Sequence, residues 1–231
     1  TKARLSLLEQ SEIRVLGFRE NCFGEGERAN EFLFVMRGRL KLMKTSSTGE
    51  HTIVETPGPL DLVCSAPALC HAPYCCTAVA LEDGTEIFSL PRNAVMSVVE
   101  HSPAGAAALL QTVAARCTQV CHRVEVLSKF PVHKRLAMVF ESLAARCGVP
   151  SNSHGVRIPV ALSRQDLADL AGTTLETAIR TMTKLKSAGL VQTLTHGFLI
   201  PDRQRLSAVI RDKEPAAETD EGSNSPRHPL L

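Results

Sequence analysis

The apolar positions between residues 163 and 189 repeat with a helical period that is interrupted once, at Gly172. Ser163 before the first stripe and Thr173 or Thr174 before the second are suitable N-caps, and Gly189 follows the second stripe. The pattern therefore predicts two short helices joined by a tight turn. Their inward positions are Leu167, Leu170 and Ala171 in the first helix, and Ala178, Met182 and Leu185 in the second.

The second predicted helix carries a continuous polar face. A major groove about 12 Å wide accepts such a helix, and Glu176 and Arg180, four residues apart, would project side by side toward base edges. Alternatively, these two side chains form an ion pair on a solvated helix. The outward positions are Glu176, Thr177, Arg180, Thr181 and Lys184.

The segment after these helices favours the DNA-binding interpretation. Residues 190–194 and 198–200 are two apolar runs with strand character, and the turn Thr195-His196-Gly197 separates them. Together they predict a β-hairpin, the wing of a winged helix-turn-helix.

Residues 13–100 contain short strand patterns divided by glycine. Residues 31–44 form two such patterns split at Arg37-Gly38-Arg39, and residues 41–44 and 52–54 flank a polar turn. Several short strands with regular turns predict a small antiparallel barrel or roll, assigned to residues 1–102.

A heptad seam follows between Pro103 and Lys129, with apolar positions spaced alternately three and four residues apart. Such a seam predicts a parallel coiled coil with a second copy of the chain, although it could also pack against its own β-roll. Phe130-Pro131 ends this helix, because the residue before a proline is driven out of the α region. The predicted dimer contacts are Leu110, Val113, Cys117, Val120, Val124 and Leu127.

The basic charge is concentrated in the segment that holds the predicted winged helix. The 231 residues carry a net charge of +2; residues 129–213 contain 13 Lys and Arg against 6 Asp and Glu, or +7, which leaves −5 elsewhere. Residues 131–212 are therefore assigned to a DNA-binding domain and residues 103–130 to the dimerisation helix. Residues 213–231 have the composition of a disordered tail. No apolar run is long enough to cross a membrane.

The chain has eight cysteines and no C-x-x-C pair of the kind that makes zinc sites. We therefore expect reduced thiols in the cytoplasm and neither a metal nor another cofactor, although a metal or iron–sulfur cluster is the alternative. No nucleophile constellation or Gly-rich phosphate loop is present, so the sequence predicts a protein that is not an enzyme.

The run Arg164-Gln165-Asp166-Leu167-Ala168 and the pattern Glu176-Thr177-x-x-Arg180 resemble the DNA-binding domain of the CRP/FNR superfamily of bacterial transcription regulators. Residues 32–38 resemble the β-roll of cyclic-nucleotide-binding folds. From residue 13 to about residue 212, the resemblance implies an α+β fold with an N-terminal antiparallel β-roll, a long dimerisation helix and a C-terminal winged helix-turn-helix. It also implies a homodimer on double-stranded palindromic DNA, and RNA polymerase as a partner at the loop 148–155.

The phosphate cassette of nucleotide-binding members has a Gly-Glu pair and, about ten residues on, an Arg-Ser pair. This chain has Leu60-Asp61-Leu62-Val63 at the first place and Cys75-Cys76 at the second. The bidentate guanidinium clamp is therefore missing, and we expect no cyclic nucleotide.

Leu175 stands where the CRP type has a guanine-reading arginine, and FixK-like proteins have an aliphatic residue there. Only Cys22 precedes residue 64, and Phe88 stands where cluster-binding relatives have a cysteine in the roll. The chain thus most resembles the FixK type, which implies an effector-free activator of microoxic or nitrogen-fixation genes at TTGAT-type sites. The alternative is a ligand or redox sensor with a haem or with the cysteines Cys64, Cys70, Cys75 and Cys76.

The same resemblance implies the roles of individual side chains on DNA. Glu176 should accept from a cytosine N4, Arg180 should donate to a guanine, and Leu175 should touch a thymine methyl. The expected backbone contacts are Ser163, Thr174, Thr177 and Lys184.

Overall fold

The structure, a computed structural model, describes residues 9–151 and 155–212. Its N-terminal half contains two four-stranded antiparallel sheets, in the orders β1-β8-β3-β6 and β2-β7-β4-β5. The two sheets enclose one apolar core, which confirms the predicted β-roll. The strands are β1 (Glu12–Leu16), β2 (Asn21–Phe23), β3 (Glu31–Arg37), β4 (Leu40–Thr45), β5 (His51–Glu55), β6 (Leu62–Val63), β7 (Thr77–Ala80) and β8 (Thr85–Pro91).

The predicted break between the third and fourth strands lies where the structure has it. Gly38 connects β3 to β4 with φ +75, a conformation that favours glycine, and a Cβ there would lie 2.5 Å from the Thr85 hydroxyl oxygen. On either side, Val35 and Leu40 are fully buried. The glycine therefore allows both strands to direct apolar side chains into the same core.

The described N-terminal half also contains the helices α1 (Ser65–Cys70), α2 (Arg92–His101) and α3 (Pro103–Lys129). No side chain of the 27-residue α3 is buried, although one face lies against the roll. From that face, Arg116 forms an ion pair with Glu55 and donates to the Leu62 carbonyl. Helix α3 is thus attached through arginines and through partly buried apolar residues such as Leu109, and its other apolar residues lie without cover in a single chain.

The seam predicted from the heptads lies on the uncovered side of α3. Leu110, Val120 and Val124 are 70%, 61% and 58% exposed. Cys117 is exposed, and Val113 and Leu127 are half-buried. The structure thus favours the seam as a surface for another chain over packing against the roll.

The C-terminal half is a winged helix-turn-helix, as predicted. Helix α3 ends at Lys129, and Pro131 precedes the next helix, so the break falls at the predicted Phe130-Pro131. A sheet in the order β11-β12-β10-β9 closes the domain. The elements are α4 (Val132–Cys147), β9 (Val149–Pro150), β10 (Val156–Ile158), α5 (Arg164–Ala171), α6 (Leu175–Ser187), β11 (Gln192–Leu194), β12 (Gly197–Ile200) and α7 (Arg203–Arg211).

Two sequence predictions fall wholly or partly on other residues. The tail 213–231 lies outside the described residues, as do residues 152–154 of the loop assigned to RNA polymerase. Among the helices of the described part, none combines the length and apolar character that a bilayer span requires.

A charge in the middle of the seam tests its role. Val120→Glu should give monomers in sedimentation experiments, because a coiled-coil seam does not accept an unpaired carboxylate. Thr118→Glu is the matched control: Thr118 is exposed on α3 outside the seam, and this variant should stay dimeric. A Val120→Glu protein as dimeric as the control would refute the seam assignment.

Candidate nucleic-acid interface

Helix α5 begins with a complete capping box. The Ser163 hydroxyl accepts from the Asp166 backbone N–H at 3.0 Å and donates to Asp166 Oδ2 at 2.7 Å. In return, the Ser163 backbone N–H donates to Asp166 Oδ2 at 2.9 Å. Since the first N–H groups of a helix lack partners within it, this exchange determines where the first helix of the helix-turn-helix starts.

The same carboxylate also connects the DNA-binding domain to the roll. Lys41 Nζ, from β4, donates to Asp166 Oδ1 at 2.6 Å, and both side chains are largely buried. Burial alone would raise the pKa of the Asp166 carboxyl, but hydrogen bonds from Lys41 and Ser163 outweigh it and keep that pKa below its usual range. Asp166 is therefore ionised at neutral pH.

The turn between the two helices meets the end of α3. Gly172 has φ +58, a conformation that favours glycine, and a Cβ there would lie 2.8 Å from the end of the Leu127 side chain, which would have to move aside. Arg135 of α4 donates to the Gly172 carbonyl at 3.1 Å. The turn is thus held by the dimerisation helix and by the first helix of its own domain.

Helix α6 is capped by Thr174, the second of the two candidates, whose hydroxyl accepts from the Thr177 backbone N–H at 3.3 Å. The buried stripe is the predicted one, formed by Ala178, Met182 and Leu185. Because this stripe faces the core, the opposite side of α6 is displayed to solvent.

The displayed side of α6 carries the predicted base-reading residues together. The Glu176 and Arg180 side chains are 88% and 64% exposed, and their charged atoms are 3.5 Å apart. Leu175 is 41% exposed at the first position of the helix. An exposed pair at this separation contributes little to folding, so it leaves both groups available to a ligand.

The structure adds one residue to this face and removes another. Ile179, which the sequence analysis did not select, is 46% exposed one turn after Leu175. Thr181 was predicted to face a ligand, and that prediction is wrong: the residue is 8% exposed and its hydroxyl donates to the Thr177 carbonyl at 2.7 Å. An internal hydrogen bond lets this polar side chain enter the core.

The residues predicted to contact phosphates differ in whether their hydrogen-bond donors are already used within the protein. Lys184 is exposed on α6, and Thr177 is half-buried near its start. The Thr174 hydroxyl donates to Thr177 Oγ1 at 2.9 Å, and the Ser163 hydroxyl donates to Asp166. Since a hydroxyl has one proton to donate, Ser163 and Thr174 support the helix starts, which leaves Lys184 and Thr177 as donors for phosphate.

The wing is attached to the helices by a polar contact as well as by the sheet. Arg164 donates to Thr193 Oγ1 of β11 at 3.0 Å. Gly197 begins β12 with φ +101, and a Cβ there would lie 2.0 Å from the Ile158 carbonyl oxygen of β10. This close approach keeps the hairpin beside the domain core, next to the start of α5.

The described segment around Cys75 and Cys76, residues 70–79, contains no arginine that could replace the missing nucleotide clamp. Among the nearby cations, Lys44 forms an ion pair with Glu25 and donates to the Cys75 carbonyl at 2.9 Å. Arg92 donates to the Ala68 carbonyl at 2.6 Å. The cassette region therefore contains thiols where a cyclic phosphate would need fixed positive charge.

Two separate segments of the chain match known protein families. Residues 19–102 match the cyclic nucleotide-binding domain, and residues 134–209 match the Crp-like helix-turn-helix domain. The two matches flank the helix that carries the exposed seam.

Known relatives match along most of the chain. The nitrogen fixation regulation protein FixK of Azorhizobium caulinodans is 25% identical over 191 residues, which are 83% of this chain and 72% of the relative. The global nitrogen regulator of Synechocystis sp. is 26% identical over 180 residues, 74% of this chain and 76% of the relative. The structure of FixK2 from Bradyrhizobium japonicum has a TM-score of 0.75 at 21% identity, covering 88% of this chain and 98% of that chain, and it shows the same fold.

The Asp166 carboxylate should contribute more to the free energy of unfolding than its neighbours on α5. Because its pKa is lowered in the folded state, it stabilises the protein above the unfolded pKa of about 4, and the gain is lost as the pH falls below that value. Asp166→Asn should lower the free energy of unfolding by about 1–3 kcal/mol at pH 7 in urea titrations, with the difference closing toward about pH 3.

Asp169→Asn is the matched control for this experiment. Burial raises the pKa of the Asp169 carboxyl, opposed in part by a hydrogen bond from Gln165, so the folded state disfavours its charge. Neutralising it should leave stability unchanged or slightly higher at pH 7. Equal losses in the two variants would contradict the role given to Asp166.

Proposed function

Because the chain belongs to the CRP/FNR family of transcription regulators, we propose that it is a sequence-specific DNA-binding regulator that acts as a homodimer. The observation that carries this proposal is the exposed face of α6, where Leu175, Glu176, Ile179 and Arg180 stand together opposite a buried stripe. Exposure of apolar side chains to water is unfavourable. Their presence on this face of α6 therefore supports a role in contacting bases.

The chemistry of this face suggests how a half-site is read. Arg180 donates to guanine in the major groove, and Glu176 accepts from a cytosine N4. Leu175 and Ile179, one turn apart, supply apolar surface for thymine methyl groups. The ion pair between Glu176 and Arg180 keeps the two polar groups side by side before DNA arrives.

Contacts to the DNA backbone position this helix without reading sequence. We assign them to Lys184 and to the free hydroxyl proton of Thr177, with Ser163 and Thr174 holding the two helix starts. The charge of +7 over residues 129–213 supports binding to a polyanion.

The seam on α3 supports a two-fold arrangement in which two α6 helices enter successive major grooves, about 34–36 Å apart. The resemblance to the FixK type implies TTGAT-type palindromes and activation of microoxic or nitrogen-fixation genes, and one relative is a nitrogen fixation regulation protein. We place the site for RNA polymerase at the loop 148–155 and the protein in the cytoplasm, where the chromosome lies.

A second candidate function is a ligand- or redox-sensing regulator of the same family. The observation in its favour is a group of three cysteines, Cys64, Cys75 and Cys76, which lie close together in the roll. The two candidates share the DNA-binding half and differ only in whether the roll takes up a signal.

Replacing one base-reading group separates it from a backbone contact. Arg180→Ala should weaken binding to the specific duplex by about 1–3 kcal/mol per half-site and relax discrimination at one base pair. Lys184→Ala, the control on the same helix, should weaken specific and scrambled duplexes alike and reduce the salt slope by about 1. Fluorescence anisotropy at matched salt measures both, and an unchanged specificity ratio in Arg180→Ala would place that residue on the backbone.

Cyclic nucleotides should be neither bound nor needed. With thiols at the place of the guanidinium clamp, titration of micromolar cyclic AMP should give no saturable heat, and operator affinity should be the same with and without it. A saturable calorimetric signal, or DNA binding that depends on the nucleotide, would show that another group holds the phosphate.

A further inference from the structure

Cys64 meets the adjacent pair Cys75-Cys76, 11 and 12 positions further along the chain, in the β-roll. The Cys64 sulfur lies 4.0 Å from that of Cys75 and 3.9 Å from that of Cys76, and all three lie within 4.8 Å of one another. The other cysteines are arranged differently: Cys70, for example, is exposed on α1 and outside the group. We refer to Cys64, Cys75 and Cys76 as the thiol cluster.

The backbone holds the thiol cluster in place from both sides. Cys64 directly follows β6, whose Val63 pairs with Leu33 of the central strand β3. Cys64 has φ 45, a left-handed conformation that costs a residue with a side chain about 1–2 kcal/mol. The structure therefore has a cysteine at a position whose backbone conformation favours glycine.

Cys75 and Cys76 lie between two anchored residues. The Tyr74 ring stacks on Phe23 with centroids 3.7 Å apart, and its backbone N–H donates to the Glu27 carbonyl at 2.8 Å. Thr77 begins β7 and accepts from the Glu25 backbone N–H at 3.1 Å. The three sulfur atoms are thus brought together by fixed strands and need no rearrangement to meet.

The sulfur separations fit a single metal ion. With metal–sulfur bonds of about 2.3 Å, three thiolates around one ion lie about 4.0 Å apart in a planar arrangement and about 3.8 Å apart in a tetrahedral one. The two distances from Cys64 agree with both values. Thiolates select soft ions such as Cu(I) and Zn(II) over hard ions such as Mg²⁺ or Ca²⁺. An iron–sulfur cluster takes four protein ligands, one more than this site offers among the described residues.

We propose that Cys64, Cys75 and Cys76 form a three-thiolate binding site for one soft d10 metal ion, Cu(I) or Zn(II), in the β-roll. Three ligands suit Cu(I), whereas Zn(II) would take a water molecule as its fourth ligand. Each cysteine gives up its proton on binding, so an ion replaces up to three protons.

The surroundings of the thiol cluster suit the replacement of its thiol protons by a metal ion. Cys76 is 2% exposed, whereas Cys75 is exposed, so the site is sheltered on one side and open to an entering ion on the other. Three thiolates with Cu(I) carry a charge of −2; the nearby Lys44 ammonium is held at the Cys75 carbonyl and is also paired with Glu25. An ion at this site would contradict the expectation of no metal, which followed from the lack of a C-x-x-C pair and stays a prediction.

Metal titration tests the site directly. Anaerobic, reduced protein is titrated with Cu(I) or with Zn(II) against a chromophoric competing chelator. We expect one equivalent per chain for at least one of the ions, and the arm that saturates identifies it. Bound metal should also protect Cys64, Cys75 and Cys76, but not Cys70, from alkylation as read by peptide mass spectrometry.

Single substitutions assign the ligands. Cys64→Ser and Cys75→Ser should weaken metal binding more than about 100-fold, since losing only a hydrogen-bonding partner of a ligand costs about 10–100-fold. Cys75 is exposed, so its variant should fold, which circular dichroism checks. Cys70→Ser is the matched control and should bind like the parent chain.

Three results would overturn the proposal. These are the absence of stoichiometric binding of either ion, equal losses in Cys70→Ser and Cys75→Ser, and protection of thiols outside the cluster in place of those within it. All readouts report the metal and the thiols, so they are independent of whether the protein binds its operator.

Discussion

A single carboxylate, that of Asp166, joins the two halves of the molecule. One oxygen closes the capping box that starts α5, and the other accepts from Lys41 of the roll. A partly buried charge is costly unless both of its oxygens have partners, so the helix start and the domain contact stabilise each other. Because α5 packs on α6, this group helps to set the orientation of α6 relative to the roll.

A guanidinium provides a second link of the same kind. Arg123 of α3 donates to the Ile53 carbonyl of β5 and, at 3.1 Å, to the Leu170 carbonyl of α5. The buried contact between the halves is also apolar, since Ile53 and Leu81 of the roll belong to the same core cluster as the winged helix. Two apolar residues of the roll therefore extend into the core of the winged helix, and polar links flank this contact.

Much of the helical half could be predicted from sequence because its signals are local. Stripes of apolar residues with caps such as Ser163 and a break such as Gly172 lie within a few residues of what they determine. Thr181 was misjudged because polarity was taken as exposure, whereas its hydroxyl is satisfied by a carbonyl four residues earlier. Ile179 was overlooked for the reverse reason, since an apolar residue outside the stripe was not considered for an exposed face.

Contacts between residues that are far apart in the chain leave no pattern in the sequence around either residue. Lys41 and Asp166 are 125 positions apart, and nothing in the spacing of either residue indicates the other. The sequence offered Cys64, Cys75 and Cys76 only together with Cys70, as part of the alternative sensor, because a search for C-x-x-C did not show which of these cysteines meet. Here the strand β6 and the start of β7 bring together residues 11 and 12 positions apart.

The uncovered seam of α3 makes this protein sensitive to its own abundance. In the proposed dimer, a helix of 27 residues with none buried would gain contacts from a second chain, so the share of paired chains would depend on how many are present. When pairing is scarce, the number of dimers grows with the square of the chain concentration. A modest rise in synthesis would then produce a steeper rise in paired chains.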